Sequence, residues 1–455
     1  MNPQILEELL DLWEEVYPHL GEFLLELYGR SRADFLEFGP FSGGVARVLG
    51  WRFPDVKVVV SGLEGELLDV VKPYLREEIS RGRVLLRPSP LDEVPFLDES
   101  FDLVFVRGAF FFLNPGLLRE VERVLAPGGL AVVGGGYGPS TPPEVIARIA
   151  DRSRELNQAL GRRWISPQEL AKVAEAAGIR GWQVLEDGGL WLLIRKEGHE
   201  RHPSLAEALG LERGEVVSLV GGGGKTTLMF SLARELRERG FRVITTTTTK
   251  IFKPHPWQSQ RVILEADEGR LLQRVEGALS EDRHVTVAAG ELPSEGKLLG
   301  VGEGTVKRLA ERADYVIVEA DGSRGRPLKA PAPHEPVVPG NTTTFVIVVG
   351  VEAIGKPLTG EWVFRPEIAS KVTGLQQGEG LTPEAVAQLV LHPEGLMKGR
   401  PERAKVVLFI NKVEERRGLQ AARELSKAVR RRSSLKAISG RAFFHHAVVE
   451  VLNHR

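Results

Sequence analysis

The feature that most constrains this chain is a run of glycines followed directly by Lys225, Thr226 and Thr227. The four glycines are Gly221, Gly222, Gly223 and Gly224. An apolar strand pattern precedes the run and an amphipathic helix pattern follows it. Glycines let backbone N–H groups turn towards an anion, and the start of a helix adds partial positive charge. The arrangement predicts an α/β unit in which these residues bind the phosphates of a nucleotide.

In such a loop Lys225 reaches the β- and γ-phosphates, and the Thr226 hydroxyl ligates Mg²⁺. The usual pattern, G-x-x-x-x-G-K-[ST], places another glycine six residues before the lysine. That position is Leu219 here. The loop is therefore a variant, or its turn begins at Gly221. The alternative is a glycine-rich turn between a strand and a helix that binds nothing.

Composition limits the kind of protein. For 455 residues we expect about two or three domains, and 42% hydrophobic with 27% charged residues is typical of a soluble globular protein. A net charge of −1 provides no excess of positive charge for binding nucleic acid, and no apolar run is long enough to span a membrane. The N-terminus does not resemble a signal peptide, and the chain has no cysteine. We therefore expect a cytoplasmic protein without nucleic-acid or membrane partners.

Two successive β/α series predict an α/β protein of two doubly wound domains. In the first half, strands are predicted at 34–38, 57–61, 84–87, 101–106 and 130–134, with a final hairpin at 182–186 and 190–195. In the second half, strands are predicted at 216–220, 243–246, 262–264, 285–288, 315–319, 344–349, 406–410 and 436–439. Residues 352–404 look like an insertion of loops and short helices. The predicted domains are 1–197 and 204–455, joined by a polar linker at 198–203.

The acidic end of one predicted strand is the second candidate part of a nucleotide site. Four apolar residues lead to Glu319, which is followed by Asp321 and Gly322. A carboxylate at such a strand end holds Mg²⁺, and in GTPases a glycine at the position of Gly322 contacts the γ-phosphate. We expect Glu319 and Asp321 to ligate the metal with Thr226 and to be catalytic together with Lys225. The alternative is an ordinary strand that ends in an acidic turn.

Residues 245–250 read TTTTTK. The β propensity of threonine favours a plain strand, whereas hydroxyls at a strand end beside phosphate can contact Mg²⁺ or phosphate. On the second interpretation Lys250 is a further cation that binds the nucleotide. Arg324, Arg326 and Lys329 follow the acidic turn and either supply charge to a phosphate or are solvated.

A further apolar strand ends in Asn411, Lys412 and, one residue later, Glu414. In GTPases an Asn-Lys-x-Asp element reads the guanine edge through its carboxylate. The longer glutamate leaves the choice between ATP and GTP open. Ser439, at the end of the last predicted strand, resembles the short base-contacting loop of the same proteins. We expect these four residues to contact the nucleotide.

Six motifs of the second half together resemble the YqeC family. They are VGGGGKTT at 220–227, TTTTTK at 245–250, VEADGS at 318–323, PLKAP at 327–331, EPVVP at 335–339 and NKVE at 411–414. The resemblance covers about residues 203–455. It implies a P-loop NTPase-like fold that binds ATP or GTP with Mg²⁺. It also implies an accessory protein in maturation of a selenium-dependent molybdenum hydroxylase, with the hydroxylase or its cofactor-insertion machinery as partner.

The first half carries a different glycine motif, EFGPFSG, at the end of its first strand. It contains Glu37, Gly39 and Gly43, and Glu64 follows the second strand. Glycines there let the backbone approach a cofactor, and an acidic residue at a strand end can bind ribose hydroxyls. Phe41 stands where a central glycine is usual and would crowd that approach.

With PFLDESFDLV at 95–104 and EVERVLAPGG at 120–129, this motif resembles the class I S-adenosylmethionine-dependent methyltransferases over about residues 1–197. The resemblance implies a Rossmann-like methyltransferase fold that binds S-adenosylmethionine through Glu37, Gly39, Gly43 and Glu64. The acidic residue usual after the third strand is absent, since residues 86–90 read LRPSP. The alternative is a domain of this fold that no longer transfers methyl groups.

Several functions follow from these motifs. The first is Mg²⁺-dependent binding and hydrolysis of a nucleoside triphosphate that gates delivery to a hydroxylase. The second is an active methyltransferase regulated by the P-loop domain. The third is a non-catalytic scaffold locked by nucleotide. Transfer of the γ-phosphate to a small molecule is a further alternative, because no general base is identifiable.

Overall fold

The computed structural model of the chain describes residues 2–161, 165–198 and 203–452. Two compact units divide the chain, Met1–Arg201 and His202–Arg455. The linker predicted at 198–203 falls mainly on residues 199–202, which lie outside the described residues. No helix within the described ranges is long and apolar enough to cross a membrane.

The first unit alternates helices and strands around one sheet. Its strands are β1 (Ala33–Phe38), β2 (Val56–Ser61), β3 (Val84–Leu86), β4 (Phe101–Arg107), β5 (Leu125–Gly136), β6 (Trp182–Leu185) and β7 (Gly189–Arg195). Its helices are α1 (Pro3–Leu12), α2 (Tyr17–Tyr28), α3 (Gly44–Arg52), α4 (Glu66–Tyr74), α5 (Arg76–Ser80), α6 (Pro115–Val124), α7 (Pro143–Ala159) and α8 (Pro167–Ala177). A 3₁₀ turn at Ala109–Phe111 follows β4.

The strands of this sheet lie in the order β3-β2-β1-β4-β5-β7-β6. β1 to β5 run parallel, and β7 is antiparallel to both β5 and β6. Every residue of β1 and β4 is buried, as expected for parallel strands covered by helices on both faces. The predicted doubly wound sheet and final hairpin are confirmed. β5 begins at Leu125 rather than at 130, with an irregular register against β4.

The second unit has a larger sheet and two small ones. Its strands are β8 (Glu215–Gly221), β9 (Val243–Thr247), β10 (Lys250–Phe252), β11 (Val262–Leu264), β12 (His284–Ala288), β13 (Gly290–Leu292), β14 (Lys297–Leu299), β15 (Tyr315–Glu319), β16 (Leu328–Lys329), β17 (Thr344–Gly350), β18 (Val363–Phe364), β19 (Lys405–Asn411), β20 (Lys436–Gly440) and β21 (Val448–Val451). Its helices are α9 (Leu205–Leu209), α10 (Lys225–Glu238), α11 (Glu268–Glu281), α12 (Glu303–Ala310), α13 (Pro366–Thr373), α14 (Pro383–Leu391) and α15 (Arg416–Arg430).

The large sheet has the order β11-β12-β9-β15-β8-β17-β19-β20-β21 and is parallel except for β21. Alternate residues of β15 enter different cores, with Ile317 on the side of α10 and Val316 on the side of α11 and α12. Helices therefore cover both faces, as the sequence predicted. All the strands predicted in this half are present, and they bring the ends of β8, β15, β17 and β19 to one edge.

The sequence patterns missed β21 at the edge of the large sheet and the strands of the two small sheets. β10, β13 and β14 form a separate three-stranded sheet, and β16 pairs with β18. These strands have two or three residues each, which is too few to show an alternating pattern. The region predicted as an insertion, 352–404, holds the short helices α13 and α14.

Candidate functional site

The glycine run makes a short turn between β8 and α10. Leu219 lies inside β8 and is fully buried, and the left-handed backbone begins at Gly221, with φ of 100°. A Cβ at Gly221 would lie 2.3 Å from the Val348 carbonyl oxygen, so this position requires glycine. The turn therefore begins at Gly221 and does not use the glycine of the usual pattern.

The backbone amides of the turn divide into two groups. The N–H groups of Gly222 and Gly223 donate to the carbonyl oxygens of Val348 and Arg326, each at 2.9 Å. Gly224 is the N-cap of α10, and among the described residues no side chain caps this helix. The first amides of a helix have no partner within the helix. A phosphate would therefore be held by the amides from Gly224 onward, whereas Gly222 and Gly223 shape the turn.

Lys225 lies under the turn with its ammonium group buried among acceptors. Its Nζ donates to the Gly221 carbonyl oxygen at 2.7 Å and lies 3.2 Å from Asp321 Oδ1 and 3.8 Å from Glu319 Oε1. The Gly221 N–H donates to the other Asp321 oxygen at 3.1 Å. The ends of β8 and β15 thus bring together the lysine and both carboxylates that the sequence indicated.

Thr226 completes this cluster. Its hydroxyl donates to Glu319 Oε2 at 2.6 Å. Two neighbouring ligands of an octahedral Mg²⁺ lie about 2.9 Å apart, and Mg²⁺ prefers oxygen ligands. The Thr226 and Glu319 oxygens therefore fit adjacent positions around such an ion. Burial raises the pKa of Glu319, while the Lys225 charge and the Thr226 hydrogen bond oppose that rise.

A buried chain of charges extends from Asp321 into the insertion. The Lys329 side chain is fully buried, and its Nζ lies 3.1 Å from Asp321 Oδ2 and 2.7 Å from Glu335 Oε2. Glu335 also pairs with Arg365 at 2.6 Å. Burial would raise the pKa of Glu335, but hydrogen bonds from Arg365 and Lys329 lower it to about 2. Lys329 is therefore not the solvated residue that the sequence allowed.

The other residues predicted near this cluster have different surroundings from Lys329. Arg324 and Arg326 are exposed, and Arg326 contributes its backbone carbonyl to the glycine turn. The Gly322 carbonyl accepts from Lys329 at 2.7 Å. Thr227 lies in the first turn of α10.

The threonine run is mainly a structural element. Thr245 contacts the Thr286 hydroxyl at 2.8 Å, and Thr246 donates to the Val287 carbonyl oxygen at 2.8 Å. Thr247 donates to the Glu319 carbonyl oxygen at 2.7 Å, which ties β9 to the end of β15. These three residues are therefore buried strand residues and not part of a hydroxyl-rich turn. Lys250 lies on β10, is exposed, and pairs with Glu295 at 3.5 Å, so it is not in the cluster around Lys225.

Three of the four predicted base-contacting residues, Asn411, Lys412 and Ser439, form contacts within the protein. Asn411 is buried at the end of β19, where its amide donates to the Gly223 carbonyl oxygen at 2.7 Å and its side-chain oxygen accepts from the Ala442 N–H at 2.8 Å. Lys412 pairs with Glu352, a residue that the motifs did not indicate. Glu414 and Ser439 are buried, and the Ser439 hydroxyl donates to the Glu450 carbonyl oxygen at 3.3 Å. Asn411 thus supports the turn directly.

In the first unit, the predicted cofactor loop forms at the end of β1. Glu37 is fully buried and accepts from the N–H groups of Gly43 at 3.0 Å and Ala46 at 2.7 Å. Burial raises the pKa of Glu37, and these amide hydrogen bonds oppose the rise. Gly39 and Gly43 have φ of 112° and 125°, so both need glycine. Glu64 lies in the exposed loop after β2.

Aromatic rings cover part of this loop. A Cβ at Gly39 would lie 3.0 Å from the tip of the Phe112 ring. Phe41 is buried and packs against Phe111, with ring centroids 5.1 Å apart. A cofactor lying against Gly39 would have to displace Phe112. This obstruction adds to the crowding expected from Phe41.

The two units together define an α/β protein with a methyltransferase-like first half and a second half built around a glycine turn at a helix N-terminus. The model of the YqeC protein family matches residues 217–367, and that of the methyltransferase domain matches residues 36–133. The Escherichia coli (strain K12) protein described as uncharacterized protein YqeC is 35% identical over 218 residues, which are 47% of this chain and 82% of that protein. The chain therefore belongs to the YqeC family and carries, in addition, a methyltransferase-like domain.

The first unit is similar to methyltransferases over different shares of their own length. The ubiquinone/menaquinone biosynthesis C-methyltransferase UbiE of Geotalea daltonii (strain DSM 22248 / JCM 15807 / FRC-32) is 31% identical over 104 residues, which are 22% of this chain and 43% of that protein. A SAM-dependent methyltransferase structure from Aquifex aeolicus has a TM-score of 0.32 and 19% identity, covering 43% of this chain and 99% of that chain.

Proposed function

We propose that the second unit binds a nucleoside triphosphate with Mg²⁺ and hydrolyses it. The observation that carries the proposal is the cluster of Lys225, Thr226, Glu319 and Asp321 at the uncapped start of α10. Amide groups and a lysine at a helix N-terminus suit phosphate, and the neighbouring oxygens suit a divalent cation. A glycine turn that binds no ligand, the alternative that the sequence left open, would not explain why these buried charges converge.

Each residue of the cluster has a separate role. Lys225 exchanges its contacts with Gly221 and Asp321 for the β- and γ-phosphate oxygens, where it stabilises the charge that develops in phosphoryl transfer. Lys329 stays beside Asp321 and keeps that carboxylate paired. Thr226 and Glu319 would hold Mg²⁺, which neutralises phosphate charge when bound. In this proposal Asp321, which the sequence indicated as a further Mg²⁺ ligand, instead positions Lys225 and the turn through its contacts with the Lys225 ammonium and the Gly221 amide.

The reaction is attack of water on the γ-phosphorus. The bond from that phosphorus to the β,γ-bridging oxygen breaks, and the products are a nucleoside diphosphate, inorganic phosphate and a proton. Phosphate release by the full chain, with ATP and GTP and with and without Mg²⁺, tests this step. We expect Mg²⁺-dependent release that Lys225→Ala abolishes and Lys253→Ala retains, since Lys253 is exposed and pairs with Glu291.

Other outcomes of that assay separate the alternatives. The chain is assayed alone and together with candidate partners. Nucleotide binding without phosphate release in both cases would favour a scaffold that nucleotide locks in one conformation. Appearance of a phosphorylated small molecule in place of inorganic phosphate would favour a kinase. Comparison of ATP with GTP decides which base is preferred, because the NKVE motif at 411–414 resembles the guanine-reading element with glutamate in place of aspartate.

We further propose that nucleotide turnover serves maturation of a selenium-dependent molybdenum hydroxylase. Membership of the YqeC family supports this role. Strains that lack the gene should have low hydroxylase activity, which the wild-type gene restores and the Lys225→Ala gene does not. Full hydroxylase activity in the deletion strain would contradict the role without affecting nucleotide binding.

A second candidate function is S-adenosylmethionine binding by the first unit. The match to the methyltransferase domain and the Glu37 contacts that shape the Gly39–Gly43 turn favour it. Calorimetry with S-adenosylmethionine tests it with the full chain. Measurable heat of binding that Gly39→Val removes supports a cofactor site at this turn. The absence of binding at millimolar cofactor would leave a domain of methyltransferase fold without that activity.

A further inference from the structure

A cavity of about 600 Å³ lies in the first unit beside the ends of β4 and β5. Residues from α1, α7 and the β6–β7 hairpin complete its wall. Ligands of open α/β sheets bind beyond the carboxyl ends of the strands, and cavities of this size hold small molecules. Glu37, Gly39, Gly43 and Glu64, the predicted cofactor residues, are not among its lining residues. The cavity therefore offers a place for a second ligand.

Arg107, the last residue of β4, lines this cavity and is buried, with 6% of its surface exposed. Its guanidinium carbon lies 4.8 Å from the Trp13 ring centroid and 5.1 Å from that of Tyr17. One terminal nitrogen donates to the Tyr17 hydroxyl and to the Phe41 carbonyl oxygen, each at 3.2 Å. Arg107 is thus held rigidly by aromatic rings and two neutral acceptors.

The charge of Arg107 is not paired within the described part of the chain. Its Nε has no hydrogen-bond partner there, and no carboxylate of those residues forms an ion pair with it. The buried Glu37 carboxylate attracts Arg107 electrostatically, but no ion pair joins the two side chains among the described residues, and Glu37 Oε1 makes no hydrogen bond there. A buried cation is costly unless an anion pairs with it. The arrangement indicates that the missing anion is supplied by a ligand.

Most of the remaining wall is apolar and aromatic, and Ser153, Arg154 and Asn157 add polar groups on the side of α7. Trp13 stacks on Tyr137, with ring centroids 4.8 Å apart and planes inclined by 14°. Phe110 and Phe111, which follow β4, also line the cavity. The Trp13 indole N–H already donates to Ser153, so it does not need a polar ligand group. The wall therefore suits an apolar or aromatic body, with one polar end at Arg107.

We propose that this cavity binds a small aromatic or apolar molecule carrying one carboxylate, with the carboxylate at Arg107. The guanidinium fork matches a carboxylate in shape, and one buried arginine balances one negative charge. The body of the ligand packs between Trp13 and the phenylalanines after β4. Arg107 is a specificity-determining residue of this site. The proposal does not depend on nucleotide binding by the second unit.

The test compares 3-phenylpropanoate with its neutral amide by calorimetry on the full chain. We expect the acid to bind at least about tenfold more tightly than the amide, because only the acid pairs with a buried guanidinium. Arg107→Met should remove this preference. Arg154→Met should retain it, because Arg154 lies at the rim with a side chain 61% exposed and pairs with Asp151.

Two measurements keep the test decisive if Arg107→Met does not fold. Equal affinity of the wild-type chain for the acid and the amide, including no binding of either, overturns the proposal. Binding of the acid should also quench tryptophan fluorescence, and Trp13→Phe should remove that change despite the other six of the seven tryptophans. Loss of the acid preference in Arg154→Met alone would assign the anion to the rim and overturn the role of Arg107.

Discussion

Lys329→Met removes the central cation of the buried chain that joins Asp321 to Glu335. The lysine side chain has no exposed surface, and methionine is close to it in shape. Removing one partner of a buried ion pair costs about 3–5 kcal/mol. In the variant, Asp321 still pairs with Lys225 and Glu335 still pairs with Arg365. We therefore expect a loss at the lower end of this range, about 3 kcal/mol. For a unit of this size that loss lowers the melting temperature by about 6–12 °C.

The pH dependence of stability tests the same buried chain through Glu335. Burial would raise the pKa of Glu335, but hydrogen bonds from Arg365 and Lys329 lower it from 4.5 to about 2. A lowered carboxyl pKa stabilises the folded state above the unfolded value, and the contribution disappears as the pH falls from about 4.5 towards 2. Because Arg365 and Lys329 share the effect, Lys329→Met should keep about half of this acid sensitivity.

Urea unfolding of the full chain at pH 7 and at several pH values down to 2.5 measures both quantities. Lys371→Met is the matched control, because Lys371 is exposed on α13, and its effect should stay below about 0.5 kcal/mol. A loss under about 1 kcal/mol in Lys329→Met, with wild-type acid sensitivity, would refute the assigned contribution of the buried chain.

Three further predictions concern the two sites. Thr226→Val should abolish the effect of Mg²⁺ on nucleotide affinity, measured by titration with and without the ion; retention of the full Mg²⁺ effect would exclude Thr226 as a ligand. Glu319→Gln should lower phosphate release on the order of 100-fold while nucleotide still binds, and unchanged turnover would contradict its role. Phe112→Ala should increase S-adenosylmethionine affinity, because the ring tip lies 3.0 Å from the Gly39 Cβ position; lower affinity in calorimetry would mean that the ring supports the cofactor.

Much of the fold could be predicted because long apolar strands alternate with amphipathic helices. The strands β1, β4, β8 and β15 are almost wholly buried, so apolar residues make up most of their sequences. The three-residue strands around β14 have no such signal, since their pairing depends on distant segments.

The convergence of Lys225 and Glu319 could also be predicted, since motifs at the ends of parallel strands meet at one edge. The burial of Lys329 could not, because its sequence neighbours, Arg324 and Arg326, are exposed. The roles of Thr245–Thr247 depend on partners on β12 and β15 that local sequence does not identify. Arg107 gave no signal either, because only the fold places it between aromatic rings.

The affinity of the full chain for ATP and GTP in the presence of Mg²⁺, measured for the wild type and Lys225→Ala, tests the central claim most directly. We expect the wild type to bind at least one of the two nucleotides with a dependence on Mg²⁺. Lys225→Ala should weaken that binding by about 100-fold or more, since it removes a charged contact made in a buried site. Absence of binding by the wild type, or equal affinity of the variant, would contradict a nucleotide site at the start of α10.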